Sequence, residues 1–151
     1  MYSLRRWSVR HARGMNAFYN GFEALLVRLA GLLRAIGYER LERPVAFVER
    51  QVKGALFDCK MCGQCVLSAT GMSCPMNCPK TLRNGPCGGV RADGRCEVKP
   101  EMTCVWVEAY RGSERIPGGV EAMRAVQFAV DHRQQGRSSW LRVVRERSTA
   151  P

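Results

Sequence analysis

The sequence predicts a mainly α protein whose middle is a Cys-rich, loop-dominated centre carrying a small β-hairpin. Three observations predict it. Apolar residues recur at helical spacing in residues 1–57 and again in 105–151. All eight cysteines lie between Cys59 and Cys104. The stretch that holds them, 58–104, is rich in turn-forming Gly and Pro and has almost no hydrophobic period. The chain therefore divides into an N-terminal helical region (1–57), a Cys-rich region (58–104) and a C-terminal helical region (105–151). At 151 residues they are expected to share one compact domain.

In the first region Phe18, Phe22, Leu25, Leu26, Leu29, Leu32, Leu33 and Ile36 fall three or four apart, on one helical face. Asn16 suits an N-cap and Gly37 a C-terminal stop. Pro44 suits the first position of a second helix that would turn Val45, Val48, Val52 and Leu56 inward. Both stripes are expected to be core. In the middle region Asp93-Gly94 predicts a two-residue hairpin turn between Val90–Ala92 and Arg95–Val98, just after the permissive Gly88-Gly89 pair. In the last region Val120, Met123, Ala125, Val126, Phe128, Ala129 and Val130 predict a helix of about four turns opened by Gly118-Gly119. Ser138 or Ser139 would cap a final short helix carrying Trp140, Leu141, Val143 and Val144.

The net charge of +11 comes mainly from arginine and favours an acidic partner. The charge is spread over both ends, and no nucleic-acid-binding motif accompanies it, so a nucleic-acid partner is not expected. Glu23, Arg28 and Arg34 interrupt the apolar stretch Ala17–Ile36, which argues against a signal peptide and a membrane span. A reducing, cytoplasmic compartment is expected, and there clustered cysteines indicate metal rather than disulfides. A buried small hydrophobe is a fair reading of one cysteine, but a poor one of eight in a Gly-rich stretch.

The cysteines run Cys59, Cys62, Cys65, Cys74, Cys78, Cys87, Cys96 and Cys104. The first three form C-x2-C-x2-C, and Cys74-x3-Cys78-Pro79 repeats the ending of the bacterial ferredoxin run, displaced along the chain. A triple of this kind suits an iron–sulfur cubane, which takes a distant fourth thiolate, better than one zinc, which is often held by two C-x2-C pairs. For Cys74 to Cys104 the choice between a second cluster and zinc stays open. Either Gly88-Gly89 curls the chain back, or Cys87 and Cys96 serve different centres. Lys60, Lys80 and Arg83 stand near the thiols in sequence, and His11 and His132 stand far from them. Trp106 and Tyr110 are expected beside the cluster, with Trp140 pinning the tail. No catalytic triad, paired carboxylates or phosphate loop is present, so no independent catalytic centre is expected.

The string LFDCKMCGQCVLSATGMSCPMNCPKTLRNGPCGG (56–89), continued by GRCEVKP, CVWVEAY and the tail VDHRQQGRSSWLRVV (130–144), resembles the methylenetetrahydrofolate reductase C-terminal domain family. The resemblance covers residues 45–145. Members of that family occur fused behind a reductase or as the small subunit of a two-subunit enzyme. The resemblance implies a partner, a flavin-containing catalytic subunit that reduces 5,10-methylenetetrahydrofolate to 5-methyltetrahydrofolate. It also implies one or two [4Fe–4S] clusters, with zinc as the alternative at a second site, and all eight cysteines as ligands. The chain would then be a non-catalytic subunit that supports the reductase or relays electrons to it from a redox donor protein.

Overall fold

The computed structural model describes residues 2–149, so the outermost residues of the two predicted terminal regions lie outside it. Before the cysteines run α1 (Tyr2–Arg10), α2 (Ala12–Arg28), α3 (Ala30–Ile36) and α4 (Tyr38–Phe57). After them come α5 (Val105–Ser113), α6 (Gly119–Arg124) and α7 (Ser139–Thr149). The cysteine region itself has only short 3₁₀ turns at Leu67–Thr70 and Pro75–Asn77. Helices from the two ends interleave around it: α1 packs on α4 and α5, and α2 packs on α7.

Gly37 closes α3 as predicted, with φ 98° and its N–H on the Leu33 carbonyl at 3.1 Å. The same glycine starts α4, because Arg40 and Leu41 donate back to its carbonyl at 3.1 and 3.3 Å. Helix α4 therefore begins ahead of Pro44, which sits inside it and not at its first position. Asn16 likewise lies within α2, which starts at Ala12. At Leu29 the path loosens (φ −85°, ψ 7°), but bonds to Leu25 and from Leu33 carry it through as nearly one rod.

Much of the two predicted apolar stripes is not core, although Phe22, Leu26, Leu33, Val45 and Leu56 are half-buried and Leu56 packs on the central cluster. Phe18, Leu25, Leu29, Leu32 and Ile36 are exposed on α2 and α3, as are Val48 and Val52 on α4. The residues that α4 buries are Glu49, Lys53 and Phe57, one helical turn apart. Apolar burial concentrates beneath the cysteines, where Ala12, Phe57, Leu67, Met72, Cys74 and Ile116 form one cluster. A second cluster joins Cys104, Trp106 and Ala109.

Two other expectations are corrected. The turn at Asp93-Gly94 forms, but the strands of a hairpin do not: only single bridges pair Val90 with Cys96 and Arg95 with Thr103. Gly94 at φ 79° donates to Arg91, and Arg91 donates to Arg95, giving a three-residue loop with a left-handed glycine. Pairing stops there because the returning chain turns away: Cys96 donates to Met102, and Val98 is left half exposed. The predicted long helix from Val120 stops at Arg124. Ala125 is extended, and the Asn84 side chain bonds the Gln127 backbone in both directions, at 2.6 and 2.8 Å. Those bonds replace helical ones, leaving Val126 and Phe128 exposed. Among the described residues no helix is long and apolar enough to cross a membrane.

Gly71 lets the 3₁₀ turn after Cys65 press onto α5. Its φ is +57°, and an added Cβ would meet Ser113 N at 2.3 Å and the Ala109 carbonyl at 2.4 Å. Both obstacles are backbone. Gly71→Ala is expected to cost about 2–3 kcal/mol, read as a lowered thermal midpoint by circular dichroism. An unchanged midpoint would contradict this account of the turn.

Candidate metal centre

The chain enters the cysteine loop through a left-handed Asp58 that ends α4 at φ 52°. Within CKMCGQC, Met61 (φ 50°) and Gly63 (φ 72°) are left-handed too. A β-carbon-bearing residue in that region stores backbone strain, which is typical of sites where geometry is imposed. The imposing contacts come from the segment before α7. Gly136 donates to the Met61 carbonyl at 2.7 Å, Gln135 to the Lys60 carbonyl at 2.8 Å and Gln64 to the Asp131 carbonyl at 3.2 Å. Gly63 must be glycine here, since a Cβ would meet the Gln134 carbonyl at 2.5 Å.

Cys59, Cys62, Cys65 and Cys74 line a single cavity under this loop, together with Glu49, Lys53, Arg83, Met76 and Ser139. Two of these residues, Cys62 and Cys74, are buried. A hydrogen bond from Cys74 to Cys59 pulls the Cys59 thiol down to about 7; burial opposes this, and the Met61 N–H at 3.3 Å assists it. The same bond, with burial, pushes Cys74 well up.

Beneath the thiols lies a buried polar layer. Lys53 Nζ donates to Glu49 at 2.8 Å, to the Ser139 hydroxyl at 2.8 Å and to the Tyr19 hydroxyl at 2.9 Å. All three ammonium hydrogens are thereby used. Tyr19 passes the chain on, donating to Cys65 Sγ at 3.2 Å. Burial pushes the Tyr19 phenol up and the charge at Cys65 adds to that, so Tyr19 keeps the proton it donates. Burial works to lower Lys53, but the negative charges at Cys65 and Glu49 outweigh it and hold the ammonium above its ordinary value.

Glu49 is saturated by the start of α7. It accepts from the Ser138 hydroxyl at 2.6 Å and from the Ser139 and Trp140 N–H groups at 3.3 and 3.4 Å. Ser138 caps α7, as the sequence predicts, through Leu141 N–H at 3.3 Å. A carboxylate is favoured at a helix N-terminus. Arg83 closes the other side, giving a hydrogen bond to the Gln64 carbonyl at 2.7 Å and facing Cys62 Sγ at 4.0 Å. Its Nε is buried without a hydrogen-bond partner.

The remaining cysteines do not line this cavity. Gly88-Gly89 forms a turn, and Cys87 lies within 3.9 Å of Glu97, which is ion-paired to Lys80. Cys96 sits on the adjacent bridge, opposite Val90. Cys104 is buried against Trp106, whose indole donates to the Leu82 carbonyl at 3.2 Å. Cys78 follows the Pro75–Asn77 turn and is partly buried. Among the described residues no three Cys, His, Asp or Glu side chains form a ready cage for one metal ion. Of the expected neighbours, Tyr110 is exposed, Lys60 pairs with Asp58 at the surface, and Trp140 packs edge-on against Phe22 at 4.8 Å, pinning α7. His11 bonds the Trp7 carbonyl, and His132 lies in a surface 3₁₀ turn.

A family model described as methylene-tetrahydrofolate reductase C terminal matches residues 38–133. The chain belongs to that family. The match takes in α4 with Glu49 and Lys53, all eight cysteines and the segment up to Arg133. It ends before Ser138, although the resemblance seen in sequence runs on to residue 145. No curated protein and no solved structure matches the chain.

Sequence reading missed Glu49, Lys53 and Tyr19. The available signal was a Glu–Lys pair four residues apart in register with Phe57, the spacing that puts all three on one face. Lys53→Met in this methylenetetrahydrofolate reductase C-terminal chain is expected to cost about 3–5 kcal/mol, because it strands the Glu49 carboxylate in the interior. Adding Glu49→Gln should restore part of that loss in denaturant titrations. Simple additivity of the two losses would refute the pairing as described.

Proposed function

We propose that this chain is the accessory, iron–sulfur subunit of a flavin-containing methylenetetrahydrofolate reductase, and that Cys59, Cys62, Cys65 and Cys74 hold a [4Fe–4S] cluster. The observation that carries this reading is the convergence of those four thiols on one cavity above a buried cationic layer. The donor set fits the group: it is all sulfur, three members have ferredoxin spacing, and the fourth arrives from further along the chain. Four thiolates would concentrate negative charge in a buried place. Lys53 is already balanced by Glu49, whereas Arg83 meets no carboxylate among the described residues and would offset the thiolate charge directly. Tyr19 and the Met61 N–H supply hydrogen bonds to sulfur, which raise a reduction potential.

When bound, such a cluster supplies one-electron transfer, here toward the partner's flavin for reduction of 5,10-methylenetetrahydrofolate to 5-methyltetrahydrofolate. The chain's own residues bind the metal, exclude water and set the charge around it. Cys78, Cys87, Cys96 and Cys104 are proposed as ligands of a second centre, a cluster or zinc. A purely structural zinc role at the first cavity is the rival, since four thiolates also suit zinc.

Protein purified without oxygen is expected to contain about four irons and four sulfides for each first-cavity cluster. Alanine at Cys62 or Cys74 should abolish that cluster's absorption, and serine at Cys87 should leave it in place. Zinc without sulfide would remove the redox role and favour the structural one. Arg83→Gln is expected to shift the cluster potential negative by on the order of tens of millivolts, because it deletes a buried positive charge. A spectroscopic redox titration measures this, and a positive shift would contradict the charge assignment.

A further inference from the structure

The outer face of α4 carries Arg40, Arg43, Phe47 and Arg50, spaced three, four and three residues apart and therefore aligned along one side of the helix. All four are exposed, and Phe47 presents 63 % of its surface to solvent. The acids of α2 and α4 are engaged elsewhere. Glu23 pairs with Arg147, Glu39 and Glu42 with Arg137 and Arg145, and Glu49 with Lys53. Among the described residues, Arg40, Arg43 and Arg50 make no ion pair or side-chain hydrogen bond. The face is thus a row of uncompensated cations around an exposed aromatic ring.

This face borders the metal centre. Arg43, Ala46, Phe47 and Arg50 line a shallow depression of ≈ 240 Å³ whose other walls are Met61 and Gly136. Met61 also lines the cysteine cavity on its inner side. It is one of the two residues between Cys59 and Cys62, is in the strained left-handed conformation, and lies between the cysteine cavity and this depression. This face combines positive charge with direct contact to the cysteine loop.

We infer that the Arg40–Arg43–Phe47–Arg50 face of α4 is the docking surface for an acidic face of the flavin-containing reductase subunit. The inference rests on the accessory-subunit reading and adds the surface and its chemistry. The arginines would pair with carboxylates, and Phe47 would anchor in an apolar recess at their centre. Aromatic and arginine side chains dominate binding energy at protein interfaces. A protein is favoured over nucleic acid because the row holds only three cations and no nucleic-acid-binding motif accompanies it.

The test uses the full chain, loaded with metal, and the purified reductase subunit, with binding followed by calorimetry at about 50 and about 300 mM salt. Arg43→Glu with Arg50→Glu is expected to weaken binding at least about tenfold at low salt, and the gap should narrow at high salt. Phe47→Ala should weaken it about tenfold at both salts. Arg28→Glu, an exposed charge on α2, should change it less than about threefold. Equal binding by wild type and the α4 variants would overturn the docking face while leaving the accessory reading intact. Silence of the wild type itself would overturn both. Tighter binding of a DNA duplex than of the reductase, lost in the double variant, would overturn the choice of partner.

Discussion

A carboxylate and an ammonium, buried a single turn apart on α4, tie together parts of the chain that are distant in sequence. Moving either charge from water to the interior costs several kcal/mol unless its hydrogen bonds are replaced. Here they are replaced: Lys53 spends its three donors on Glu49, Ser139 and Tyr19, and Glu49 accepts from Lys53 and the first residues of α7. One side of this layer fixes where α7 begins. The other, through Tyr19, reaches Cys65. The cysteine loop is thus positioned by polar contacts in addition to the apolar cluster beneath it. That explains how a Gly- and Pro-rich stretch with little hydrophobic period has a defined place on the helices.

The same layer accounts for the distribution of charge. Acids near the site point inward or toward the tail helix, where Glu23, Glu39, Glu42 and Glu49 each meet a cation. Arginines therefore outnumber the available carboxylates at the surface, and the net charge of +11 appears there as unpaired side chains. Arg83 differs from these surface cations: it is buried, makes no ion pair among the described residues and faces Cys62. A cation kept in the wall of a thiol-lined cavity is costly unless negative charge is brought to it.

Much of this was legible in the sequence. The cysteine order, the family, the helical ends, the Gly37 stop and the Ser138 cap all follow from local rules that the structure obeys. The misreadings share a cause. Periodicity shows which residues share a face but not whether that face is buried, so Val48 and Val52 were expected inside while Glu49 and Lys53 occupy that place. The helix expected beyond Arg124 fails because Asn84, more than forty residues away, takes the Gln127 backbone bonds. The hairpin fails for a similar reason, since Cys96 bonds to Met102 and does not extend the ladder beyond Val90. Asn84 and the start of α7 are remote in sequence from the residues they decide, and no local pattern contains them.

Cys59, Cys62, Cys65 and Cys74 are proposed to hold one metal centre above the Lys53 layer. Anomalous diffraction recorded at the iron edge, from crystals grown without oxygen, tests it most directly. The account predicts a strong iron peak enclosed by those four sulfurs. Iron peaks confined to the Cys87 and Cys96 region, or metal at the first cavity that scatters anomalously at the zinc edge alone, would contradict it.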